Sequence, residues 1–189
     1  MTAAISDFPP SGGWTTDDLD HLPQDGRRRE LLDGVLLMSP SPSDLHQVVA
    51  MRLGVALEAT CPGNLHVTQA VEVRFNPRRS FIPDVLVVTW DAARRRTARY
   101  EPHEVHLAIE IVSDSSVSMD RITKPALYAK AGIPYYWRIE TEGGIVVHTY
   151  KIDPEEEVYY SIGEFAEVLD VTQPWPIKLS LARLMPRYL

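Results

Sequence analysis

From Ser43 onward the apolar residues Leu45, Val48, Val49, Leu53, Ala56 and Leu57 recur at helical spacing. That period predicts an amphipathic helix ending near Pro62-Gly63. Leu65 to Phe75 alternates loosely, and Ile82 to Thr89 and Val105 to Val112 are Val-rich runs, so three strands are expected after the helix. Asp120 to Ala131 places Ile122, Leu127, Tyr128 and Ala131 on one side and stops at Gly132 with Pro134 beyond it, which predicts a second helix. Tyr135 to Ile139, Ile145 to Tyr150 and Val158 to Ile162 read as a strand meander, and Leu179 to Leu184 as a short helix packed on the sheet. Before the long helix, Arg29 to Leu32 and Val35 to Met38 flank Asp33-Gly34, the dipeptide that supplies the positive φ angles of a type I′ hairpin turn. Thr15 or Thr16 followed by Asp17 and Asp18 reads as a short capped helix.

The order of hairpin, helix, strands, helix and strands predicts a mixed α/β (α+β) domain, a central mixed sheet flanked by helices. Residues 1–13, with Pro9, Pro10, Gly12 and Gly13, are expected to form a flexible arm, and residues 14–189 a single domain. At 189 residues, 44% hydrophobic and 24% charged, the chain can build a core without a disulfide or a structural metal. The single Cys61 can form no internal bridge, which suits a reducing cytoplasm. No apolar run approaches the roughly 20 residues of a membrane span, so neither export nor insertion is expected.

The net charge of −7 argues against a nucleic-acid partner, but the charge is segregated. Residues 101–189 hold 8 basic and 14 acidic residues, whereas residues 71–100 hold 7 basic and 3 acidic ones. Much of the basic window falls in an expected loop, Asp91 to Pro102, between the two Val-rich strands.

Two carboxylates interrupt these strands where a core would not ordinarily place them: Asp84 opens one and Glu110 sits inside the other. If the strands pair antiparallel, the start of the first lies near the end of the second, and the two carboxylates meet. Close carboxylates are costly to bury unless a cation or proton intervenes. Mg²⁺, which takes one or two carboxylates plus waters and phosphate oxygens, would suit such a pair. The alternative is a Glu110 facing solvent on a one-sided sheet and an Asp84 that caps a strand. Lys124 lies 14 residues beyond Glu110 on the second helix and could aim an ammonium at the same point, or form an ordinary i, i+4 ion pair with Asp120. Glu30 and His46 are accessory ligand candidates, or cap and surface groups. No HExxH spacing, G-x-S-x-G or Gly-rich phosphate loop is present, so zinc, serine-hydrolase and nucleotide-cofactor readings lack support. Tyr135, Tyr136 and Trp137 read as packing rather than a base-stacking platform.

The ordered series Glu30-Leu-Leu-Asp-Gly-Val-Leu-Leu-Met-Ser-Pro, His46, Pro83-Asp84-Val85, Glu110-Ile111-Val112-Ser113, then Asp120, Lys124, Tyr128, Ala129, Gly132 and Tyr136-Trp137 resembles the Uma-two family from about Arg29 to Ile139. These are restriction-endonuclease-like proteins with a PD-(D/E)XK nuclease core. The resemblance implies a metal-dependent nuclease fold in which Asp84 and Glu110 hold Mg²⁺ or Mn²⁺ and a lysine assists the attacking water. Val112 stands where an E-x-K element would put that lysine; the family pattern places one on the following helix, where Lys124 stands. The expectation is a DNA endonuclease with Asp84, Glu110 and Lys124 as its catalytic set, acting as a homodimer to cut both strands. Arg74, Arg78, Arg79, Arg94, Arg95, Arg96 and Arg99 would meet the phosphate backbone. The rival expectation is a non-catalytic nuclease-fold module that binds DNA or protein.

Overall fold

The computed structural model describes residues 9–23, 25–114 and 116–188. Within them the chain runs α1 (Thr16–His21), β1 (Arg29–Leu32), β2 (Val35–Met38), α2 (Asp44–Glu58), β3 (Leu65–Gln69), β4 (Glu72–Asn76), β5 (Arg79–Phe81), β6 (Val85–Thr89), α3 (Trp90–Arg94) and β7 (Arg99–Tyr100). It continues with β8 (Val105–Ile111), α4 (Lys124–Lys130), β9 (Tyr135–Glu140), β10 (Val146–Asp153), β11 (Val158–Phe165), β12 (Val168–Val171) and β13 (Ile177–Ser180).

The centre is a six-stranded mixed sheet in the order β11-β10-β9-β8-β6-β3. All its pairings are antiparallel except β8 with β9, which run parallel because the helical crossover containing α4 separates them. Strand alternation gives this sheet two buried faces. Val85, Val87, Leu107, Ile109, Ile111, Trp137 and Ile139 pack with Val49, Leu53 and Leu57 of α2 on one side. Leu86, Val88, Ala108 and Tyr136 pack on the other with Tyr128 of α4 and with Val73 and Phe81. The expected mixed sheet flanked by helices is the observed architecture.

Several local expectations change. Leu65 to Phe75 is two strands, not one: Ala70 adopts φ 54°, and the chain passes from the central sheet at β3 to a second sheet at β4. That second sheet has the order β2-β1-β5-β4-β7 and lays the predicted hairpin over the site described below. The hairpin turn has the positive φ angles read from its sequence, 52° at Asp33 and 85° at Gly34. The segment expected as a loop between the Val-rich strands contains α3 and β7. Leu179 to Leu184, expected as a helix, is instead the end of β13 and a single 3₁₀ turn at Leu181–Arg183, and Leu169, Ile177 and Leu179 of the β12–β13 hairpin complete the apolar face beside α2. Of the expected arm, residues 1–8 lie outside the described residues. Gly13 closes a turn onto the Pro10 carbonyl, and Arg78 donates to the Gly12 carbonyl.

The helix expected over Asp120 to Ala131 opens as a π turn at Met119–Thr123 before becoming α4. The Lys124 N–H reaches back to the Met119 carbonyl. This wider turn precedes Pro125, which has no N–H to donate and whose ring crowds an α-helical carbonyl one turn earlier. It also brings Asp120 and Lys124 to the same side.

Candidate active site

Antiparallel pairing of β6 with β8 sets Val85 opposite Ile109, and the Asp84 N–H donates to the Ile109 carbonyl at 3.1 Å. Asp84 thus sits at the end of the pairing, and its Oδ2 accepts the Ile111 N–H at 2.8 Å. Glu110 alternates with Ile109 and Ile111, so it shares the face of Ala108 and Tyr136, under α4 and the second sheet. It is 1% exposed, which removes the solvent-facing alternative.

Lys124 enters this layer from α4 and is 4% exposed. Its Nζ lies 3.1 Å from Glu110 Oε2, 3.4 Å from Glu30 Oε1 and 3.4 Å from Asp120 Oδ1, with the Phe81 ring centroid 5.9 Å away. The i, i+4 pair with Asp120 therefore exists, but in the interior rather than on a solvated face. Burial penalises the ammonium, yet Glu110, Glu30 and Asp120 outweigh that and hold its pKa above the usual lysine range. Glu110 goes the other way. Its burial, with Asp120 and Asp84 nearby, pushes its pKa well above the carboxylate range despite Lys124, and Asp120 is raised for the same first reason.

Glu30 comes from β1, and its Oε1 accepts the Ile82 N–H at 2.7 Å, which ties the hairpin to the approach of β6. His46 lies in the first turn of α2, where Ser43 Oγ caps its backbone N–H at 3.2 Å, and its Nε2 is 3.1 Å from Asp84 Oδ2. All five residues singled out near the site, Glu30, His46, Asp84, Glu110 and Lys124, are brought together.

Three further residues join the site, of which the sequence pattern pointed to Asp120 and Tyr128 without giving them a role and did not point to Arg28. Arg28 Nη1 donates to Asp84 Oδ1 at 2.7 Å, and Nη2 lies 3.8 Å from Glu30 Oε1. Burial pushes the Asp84 carboxyl up, but the His46 hydrogen bond and the Arg28 guanidinium prevail and hold it well below the usual range. Tyr128 donates its hydroxyl to Glu110 Oε1 at 2.5 Å, and Asp120 joins through Lys124. Asp120 and Tyr128 stand on the lysine-bearing helical segment, a signal the sequence did carry. Arg28 lies one residue before the hairpin strand, and no periodicity marks it.

Five of the seven arginines expected to meet DNA have other partners. Arg74 and Arg99 both bind Asp20, Arg74 also binds Glu72, and Arg79 pairs with Asp33. Arg78 donates to the Gly12 and Asp33 carbonyls, and Arg95 binds Glu104. Arg94 and Arg96 are exposed.

Among the described residues no three His, Cys, Asp or Glu side chains are gathered as a preformed metal cage. Mg²⁺ needs fewer, because one or two carboxylates suffice when water and phosphate oxygens complete the shell. Asp84 and Glu110 are donors of that class. Asp84 is held ionised by His46 and Arg28, whereas burial holds Glu110 and Asp120 towards the protonated form, so a divalent ion bound here would displace protons as well as meet negative charge.

The family model described as "Uma2: Putative restriction endonuclease" matches residues 16–182, nearly the whole described chain. The chain belongs to the Uma2 family. The match extends past Arg29–Ile139 to α1 and to the β12–β13 hairpin, the segments that fasten the second sheet and finish the core beside α2. This Uma2 chain is also similar to a solved structure from Anabaena variabilis ATCC 29413, described as "a putative nuclease belonging to DUF820". The two share 19% sequence identity and a TM-score of 0.71, over 90% of this chain and 96% of that one. At that identity the likeness is one of fold. A comparison with curated proteins gives no match. Among the described residues, no helix is long and apolar enough to cross a membrane.

Proposed function

We propose that this Uma2 chain is a Mg²⁺- or Mn²⁺-dependent endonuclease acting on DNA, with Asp84 and Glu110 as the metal ligands. The observation that carries the reading is the 3.1 Å approach of Lys124 Nζ to Glu110 Oε2, which returns a buried ammonium to the carboxylate pair although Val112 leaves the E-x-K position without one. A divalent ion bound there would polarise the scissile phosphate and lower the pKa of an attacking water. Lys124 would orient that water and meet the negative charge that develops on the phosphate oxygens. Glu30 and Asp120 keep the ammonium in place, Tyr128 fixes the Glu110 carboxylate, and His46 holds one oxygen of Asp84.

Arg94 and Arg96 are the exposed cations best suited to the DNA backbone, whereas Arg74, Arg78, Arg79, Arg95 and Arg99 would have to exchange present partners for phosphates. A second copy would be needed to cut both strands from one site per chain. The free Cys61 thiol suits work in a reducing cytoplasm.

The test is cleavage of supercoiled plasmid, linear duplex and RNA with Mn²⁺ at low salt, with and without chelator. Asp84→Asn and Glu110→Gln should abolish cleavage, and Lys124→Met should reduce it about 100-fold or more. If Asp84→Ala cuts as well as wild type, the mechanism is wrong. Duplex binding without any cleavage would assign the chain to the rival, non-cleaving module.

A further inference from the structure

Asp84 is proposed as a metal ligand, yet Arg28 already occupies one of its oxygens at 2.7 Å. The two cations of the cluster are not equivalent. Lys124 is enclosed by three carboxylates and an aromatic ring and is 4% exposed. The Arg28 side chain is 26% exposed, and it projects from an irregular stretch just before β1. Among the described residues only one end of its fork makes a short contact, since Nη2 is 3.8 Å from Glu30 and the buried Nε has no partner. This guanidinium therefore has donors to spare.

A divalent cation and a guanidinium on one carboxylate repel each other and compete for the same lone pairs. The guanidinium, unlike an ammonium, has a planar fork that matches a phosphate as well as it matches a carboxylate. Resting on the metal-dependent reading above, we infer that Arg28 is a displaceable countercation of the site: it closes Asp84 in the metal-free chain and turns to a DNA phosphate when a divalent ion takes that carboxylate. Arg28 then couples the two ligands. Metal entry releases the phosphate-binding group, and DNA drawing Arg28 away opens Asp84 to metal.

The experiment uses the full chain and two binding readouts, neither of which needs turnover. Calorimetric titration with Mn²⁺ should show Arg28→Met binding about tenfold tighter than wild type, because a competing positive charge is gone. Arg28→Lys, which keeps the charge, should stay close to wild type, and Asp84→Asn should lose binding. Binding of a duplex with Ca²⁺, in place of a cleavage-supporting ion, should be about tenfold weaker in Arg28→Met. Its salt dependence should be shallower by about one phosphate contact. Without divalent ion, wild type and variant should bind the duplex alike. Arg28→Gln, which keeps a donor towards Asp84, replaces the Met variant if that one does not fold.

Unchanged or weaker Mn²⁺ binding in the neutral variant, with Asp84→Asn still abolishing it, overturns the role of Arg28 and leaves the metal reading intact. So does a loss of DNA affinity that is equal with and without Ca²⁺. If Asp84→Asn binds Mn²⁺ like wild type, or neither wild type nor the neutral variant binds it, the metal reading falls and this inference falls with it.

Discussion

Tyr128 and Glu110 share a hydrogen bond of 2.5 Å in the buried layer between the central sheet and α4. The hydroxyl supplies Oε1, while Lys124 supplies Oε2 of the same carboxylate. One helical segment thus satisfies both oxygens, because Lys124 and Tyr128 stand four residues apart on one face of α4. Burial in turn raises the Tyr128 phenol well above its ordinary pKa, so it remains a donor at neutral pH. Tyr128→Phe should leave Glu110 Oε1 buried without this partner and cost about 1–3 kcal/mol in urea denaturation. A variant as stable as wild type would mean that the carboxylate has found another donor.

Lys124→Met should be more damaging. It removes the cation from among Glu30, Glu110 and Asp120, and breaking a buried ion pair on one side typically costs about 3–5 kcal/mol. The double variant Lys124→Met/Glu110→Gln should lose less than the two single variants added together, since neutralising Glu110 removes part of the uncompensated charge. Denaturation of the four proteins of this cycle measures the coupling; strict additivity would show that the ammonium does not interact with Glu110 in solution.

Acid should act on a different part of the molecule. The hydrogen bond from Arg74, against the penalty of partial burial and with help from Arg99, lowers the Asp20 carboxyl to about 2. A carboxylate depressed in the folded state contributes stability that is complete above its unfolded pKa and is lost as pH falls towards the folded value. Asp20→Asn should therefore lower stability at pH 7 by no more than about 1 kcal/mol, because the pair is partly exposed. The difference from wild type should shrink between about pH 4 and pH 2. Thermal melts of both proteins across that range check the sign: a gap that widens on acidification would contradict it.

Gly34→Ala should weaken the hairpin that delivers Glu30. Gly34 has φ 85°, and a Cβ there would collide with the Arg78 guanidinium, which is anchored on the Asp33 and Gly12 carbonyls. Strain at a positive-φ position costs about 1–3 kcal/mol, and displacing Arg78 adds to it. Chemical denaturation of the variant gives the loss, and an unchanged midpoint would show that the turn tolerates a side chain.

Much of the frame was legible along the chain. Ser43 and the apolar period after it define α2, Asp33-Gly34 defines the hairpin turn, and two Val-rich runs pair antiparallel so that Asp84 meets the end of β8. These features are local or depend on one pairing, so residue type and spacing suffice. The break at Ala70 and the second sheet were not legible, because an alternating run does not say which partner strand each half will choose.

The site divides in the same way. The sequence by itself determined that Asp84, Glu110 and Lys124 could converge, since strand parity and helix spacing are periodic properties of the chain. Only the tertiary structure decided that they do so in the interior. The second sheet and α4 cover the Glu110 face, enclose Lys124 among three carboxylates, and bring Arg28 across 56 residues onto Asp84. Periodicity states which residues share a face, but what lies over that face, and hence whether a charge is solvated or must find a partner, is set by packing between distant segments.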